Sequence, residues 1–75
     1  MVWAAVFAKG PENRRVYING DSEPAGKTNK HYAVETGWNT FELKASQLGP
    51  AVSKTVDVAV EDPPMVVDLT PPAVA

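Results

Sequence analysis

The chain has 75 residues, seven of them Lys or Arg and nine Asp or Glu, with one histidine and no cysteine. That length makes one small domain, burying about 60% of the surface its unfolded form exposes. Without cysteine or a second histidine, it has neither disulfides nor a structural zinc site to staple it. A net charge of −2 spread along the chain argues against nucleic-acid binding, which needs a basic face to release counterions. No run approaches the ~20 apolar residues of a membrane helix, so no membrane insertion is expected.

The core must therefore rest on apolar packing, and 44% hydrophobic residues is ordinary for a globular domain. Pro11, Pro24, Pro50, Pro63, Pro64, Pro71 and Pro72 fall between apolar runs and never inside one, as expected if those runs are strands that need their amides.

Residues 2–8 form the first predicted strand. Both its faces are apolar, with Val2, Ala4 and Val6 on one and Trp3, Ala5 and Phe7 on the other. Such a strand is either buried on both sides or offers an edge or face to a partner. Val2, Trp3, Val6 and Phe7 are accordingly the candidate self-association residues, in a homodimer paired across a two-fold axis.

The second predicted strand, 15–19, puts Val16 and Ile18 on one face and Arg15, Tyr17 and Asn19 on the other. Asn19-Gly20 follows, a strong hairpin signal, because both central positions of a type I′ turn need positive φ. A short extended piece comes next at 25–28, then a strand over 31–35 and a tight turn at Thr36-Gly37. The strand over 38–45 alternates, with Phe41, Leu43 and Ala45 inward. The one over 53–60 alternates too, with Val56, Val58 and Val60 inward. Met65, Val67 and Leu69 share a face of the last strand, and residues 71–75 are read as tail or linker after a domain spanning 1–70. A helical turn is conceivable at 45–48 alone. Six or seven short strands at roughly ten-residue spacing predict an antiparallel β-sandwich with a core of Val16, Ile18, Phe41, Leu43, Val56, Val58 and Val67.

Gly26-Lys27-Thr28 imitates a phosphate loop, whose pattern is G-x-x-x-x-G-K-[ST]. Five residues separate Gly20 from Gly26, one too many. The residues after Thr28 read as strand rather than as the helix whose N-terminus would face a phosphate. Asp21 and Glu23 would also repel an anion from the loop. No nucleotide site and no cofactor are expected.

Catalysis finds little footing. His31 would have to act with Ser22, Ser46 or Ser53, and no G-x-S-x-G marks an activated serine. Asp57, Glu61 and Asp62 lack the alternating spacing of a calcium loop, so no metal site is assigned. The basic residues Arg14, Arg15, Lys27, Lys30 and His31 are interspersed with Asp21, Glu23 and Glu35 and read as a solvated surface. Tyr17 and Trp38 fall on faces that alternation assigns to solvent, and exposed aromatics favour binding surfaces. They are the candidate binding residues, for a protein or carbohydrate partner. The competing arrangement folds Trp38 over the sheet end beside Gly37.

The phrases in order resemble the PEGA domain. Pro11-Glu12-Asn13-Arg14 keeps the first half of that family's Pro-Glu-Gly-Ala signature. Gly26-Lys27-Thr28-Asn29 matches G-x-T-P without the proline, and Gly37-Trp38-Asn39-Thr40-Phe41-Glu42-Leu43 matches its Gly-x-His-x-Val-x-Val phrase with asparagine for histidine. The resemblance spans about residues 2–69 and implies a small immunoglobulin-like β-sandwich, usually a module of a bacterial envelope-associated protein, with no catalytic residues and no general ligand. The implied function is a non-catalytic interaction or adhesion module. The alternative is an architectural spacer or self-associating subunit. The first eight residues lack the charged start and cleavage site of a signal peptide. The expected location is thus the cell envelope if the domain belongs to a larger PEGA-type protein, and the cytoplasm otherwise.

Overall fold

A computed structural model describes residues 2–71, and the described residues hold strands and no helix. These are β1 (Trp3–Lys9), β2 (Arg15–Ile18), β3 (Gly26–Lys27), β4 (Lys30–Glu35), β5 (Gly37–Leu43), β6 (Val52–Val58) and β7 (Met65–Asp68). They form a sandwich of two sheets, one in the order β4-β1-β7 and the other β3-β2-β5-β6. The tail expected at 71–75 lies, Pro71 apart, outside the described residues.

Period-two patterning explains the core. Ala4, Val6 and Ala8 of β1, Val34 of β4, and Val67 and Leu69 at β7 face Val16, Phe41, Leu43 and Val58 from the other sheet, all buried. Of the predicted core, Ile18 and Val56 are only half-buried at its margin. Ala45 and Val60 are exposed, because β5 ends at Leu43 and β6 at Val58, so alternation beyond those residues no longer faces the opposite sheet.

Three expectations are corrected. β1 is the central strand of its sheet, antiparallel to β4 and parallel to β7, so the fold is not purely antiparallel and β1 offers no free edge. Its doubly apolar pattern resolves into a buried face of Ala4, Val6 and Ala8 and an outer face of Trp3, Ala5 and Phe7. Val6 is completely buried, which removes it from any surface through which copies could pair.

Asn19 and Gly20 do take positive φ (55° and 71°), and the Asp21 amide donates to the Ile18 carbonyl as a turn requires. The return strand pairs Val16 with Gly26, however, so residues 19–25 between β2 and β3 make a wide loop and not a two-residue hairpin. Pro24 lies in that loop, and the Asn19 side chain is engaged elsewhere. Its Oδ1 accepts from the Thr40 amide, extending the β2–β5 ladder by one rung.

Residues 45–48 make no helical turn. Ser46 and Gly49 exchange both backbone hydrogen bonds around Gln47-Leu48, a tight turn closed at the glycine.

Thr36-Gly37 makes the expected tight turn, and the turn crosses between sheets. β4 and β5 belong to different sheets, and Thr36 alone connects them. Gly37 supplies φ 108° there, a conformation costly for any residue with a Cβ. Asn39, buried, clamps this corner. Its amide donates to the carbonyls of Glu35 (2.8 Å) and Gly37 (3.0 Å), and its Oδ1 accepts from the Asn19 side chain (2.9 Å).

A second crossing lies at Thr28-Asn29, between β3 and β4. Thr28 is buried, its hydroxyl donating to the Pro11 carbonyl, and the Asn29 amide group brackets Gly10 by donating to its carbonyl and accepting from its amide. Gly26-Lys27-Thr28 is thus the approach to a sheet-crossing corner, with a strand after it.

Candidate functional site

Gly37 and the buried Asn39 together set the direction of Trp38. With its neighbour turned into the core, Trp38 must point outward, and it is 73% exposed. It does not fold over the sheet end. Trp3 opens β1 on the outer face of the other sheet, opposite Glu35, and is 57% exposed. Trp3 and Trp38 both line an open hollow of about 610 Å³ where the two sheets meet beside the Thr36 corner. Asp21 and Glu35 also line it, and no Lys or Arg does. Its walls offer two broad aromatic surfaces and two carboxylates.

Tyr17 lies elsewhere. It opposes Glu42 on the outer face of the four-stranded sheet and is half-buried, with the Lys44 ammonium 4.2 Å from its ring centroid. It lines a different hollow, of about 710 Å³. Tyr17 and Trp38 therefore line separate hollows on the outer face of one sheet. Trp38 has Trp3 for company, a pairing invisible in the sequence because β1 and β5 meet only through the sandwich. The proposed association residues also separate: Val2, Trp3 and Phe7 remain accessible at least in part, while Val6 does not.

His31 sits on the outer face of β4 with its ring edge against Phe7, centroids 4.9 Å apart. No serine or carboxylate hydrogen-bonds it among the described residues. The described residues also contain no group of three or more His, Cys, Asp or Glu that could hold a metal ion.

Two acid–base groups depart from ordinary values. Hydrogen bonding to Thr70, whose amide donates to its carboxylate, holds Asp68 below the usual aspartate range, with smaller help from Lys9 and Lys54. Burial pushes the Tyr32 phenol up, and its hydroxyl donates to the Lys27 carbonyl. Both shifts arise from contacts within the fold.

Compared with protein-family models, with curated proteins and with solved structures, the chain matches none of them.

Proposed function

We propose that this domain is a non-catalytic interaction module that takes a protein partner in the hollow between Trp3 and Trp38. The observation that carries the reading is two exposed tryptophans, one from each sheet, lining one open hollow. Large rigid aromatics are enriched where proteins bind each other, since they bury much area with little loss of rotamer freedom. Asp21 and Glu35 on the same walls suit a segment carrying Lys or Arg. The PEGA resemblance, with its immunoglobulin-like fold and envelope-associated setting, fits such a module of interaction or adhesion.

Selection from a displayed peptide library, run beside a glycan panel, tests this. Expected are basic, apolar-anchored peptides whose binding is lost in Trp38→Ala and Trp3→Ala and kept in Tyr17→Ala. Binding confined to glycans would transfer the site to carbohydrate recognition, and peptide binding indifferent to both tryptophans would end the proposal.

A second reading is favoured by one feature, the apolar outer face of the three-stranded sheet. Trp3, Ala5, Ala33 and Val66 are exposed there beside half-buried Phe7, aligned by the register Ala5–Ala33 and Phe7–Val66. Exposed apolar faces of this kind pair with other surfaces, and a second copy of the chain would make the domain a self-associating architectural unit. Sedimentation across a concentration series distinguishes the two. Self-association abolished by Val66→Lys supports this reading, and a concentration-independent monomer removes it.

A further inference from the structure

We propose that the hollow over Tyr17 is an oxyanion site that takes a phosphate or sulfate group. Arg14, Arg15, Lys27 and Lys44 all line it, four of the chain's seven basic residues, and no Asp or Glu does. The sequence disperses these cations among acidic residues. The fold gathers them, drawing Lys44 in from the end of β5 and leaving Lys30 and His31 on the other sheet. Glu42 stands opposite Tyr17 in the ladder but is not part of the lining.

Two features at the hollow leave positive charge without a counter-charge. Arg15 and Lys27 are direct cross-strand partners, and like charges directly opposite each other destabilise a sheet. Arg14 is only 2% exposed, yet no carboxylate accepts from it among the described residues. Its Nη2 donates to the carbonyls of Lys44 (2.9 Å) and Pro50 (2.8 Å), while its Nη1 is buried without a hydrogen-bond partner. Arginine keeps its charge on burial, so this guanidinium lacks a counter-charge as well as one acceptor. A bound oxyanion bridges Arg15 and Lys27 and supplies that counter-charge. The Tyr17 ring meanwhile holds Lys44 at the rim by a cation–π contact.

The site differs from the phosphate loop that Gly26-Lys27-Thr28 imitates. Side-chain cations, not helix amides, make it, and Asp21 and Glu23 lie outside it. It shares no residue with the Trp3–Trp38 hollow, so either proposal can fail alone.

The test is an NMR titration of the whole chain with inorganic pyrophosphate and, separately, with sulfate and ATP, in about 0.15 M salt. Saturable shifts are expected at Arg14, Arg15, Lys27 and the 44–48 segment. Arg15→Gln and Lys27→Gln, both at exposed positions, should each weaken pyrophosphate about tenfold, the loss of one charge-assisted hydrogen bond. Lys30→Gln and Lys54→Gln should leave it unchanged. Without anion, Arg15→Gln should melt no lower than wild type, since it relieves a like-charge pair. Pyrophosphate stronger than sulfate assigns phosphate groups, the reverse assigns sulfate, and ATP no tighter than pyrophosphate shows that no nucleoside is read. Absence of saturation, or equal losses in Lys30→Gln and Lys54→Gln, would overturn the site.

Discussion

The two sheets share one core and present opposite outer faces. On the four-stranded sheet the outward positions of β2, β5 and β6 carry Arg15, Tyr17, Trp38, Thr40, Glu42, Thr55 and Asp57, and all but Trp38 bear the polar groups expected of a face toward water. On the three-stranded sheet the equivalent positions carry an apolar centre of Trp3, Ala5, Phe7, Ala33 and Val66, flanked by Lys9, His31, Glu35 and Asp68. Alternation of apolar with polar residues therefore identifies the inner face of the four-stranded sheet unaided and is silent about the inner face of β1. What distinguishes the faces of β1 is volume and partner. Ala4, Val6 and Ala8 fit the narrow space opposite Phe41 and Leu43, while the bulky Trp3 and Phe7 stay outside.

Substituting lysine on either side of β1 puts this contrast to its hardest trial. Val6→Lys should leave no cooperative transition, since an unpaired charge in a small core costs more than about 4 kcal/mol, comparable to the whole stability of such a domain. Ala5→Lys, one residue away on the outer face, should melt near wild type. Thermal unfolding followed by circular dichroism decides it, and a folded Val6→Lys monomer would show that β1 is turned the other way.

The two phenylalanines extend the contrast across the sandwich. Phe41 is fully buried, and Phe41→Ala should cost about 3–5 kcal/mol. Phe7 packs against His31 on the outer face, and Phe7→Ala should cost about 1 kcal/mol. Equal losses by denaturant titration would mean that the outer apolar face is covered in solution, as self-association requires.

Asn39 joins the sheets at their sharpest corner, and Asn39→Ala leaves the Glu35 and Gly37 carbonyls without its amide. A loss of about 1–3 kcal/mol is expected, with faster amide exchange at Thr36–Trp38. Unchanged exchange there would show that Gly37 alone holds the turn.

The smallest effect belongs to Asp68, at the exposed end of β7. Its pKa is lower in the folded chain than in the unfolded one. At acid pH the unfolded chain therefore binds the proton more readily, and the stability the carboxylate contributes is lost as pH falls from the ordinary aspartate range through its depressed folded value. Asp68→Asn should flatten that acid limb of melting temperature against pH and leave the neutral region nearly unchanged. An identical acid limb in the variant would mean that the Thr70 contact is not kept in solution.

By itself the sequence determined the all-β class, the positions of the strands and the inner face of every strand whose two sides differ in polarity. Those properties follow from a period of two within a few residues and from where proline and glycine interrupt it. It also marked Asn19-Gly20 and Gly37 as places where φ turns positive, because few other residues accept that conformation. Only the tertiary structure decided which sheet each strand joins, that β1 lies at the centre of its own, and that β7 runs parallel to it. The tertiary structure likewise paired Trp3 with Trp38 and drew Lys44 toward Arg14, Arg15 and Lys27. These groupings join residues far apart in the chain. They depend on which faces fit together around a shared core, and alternation carries no record of that, since every strand of the right polarity satisfies it equally well.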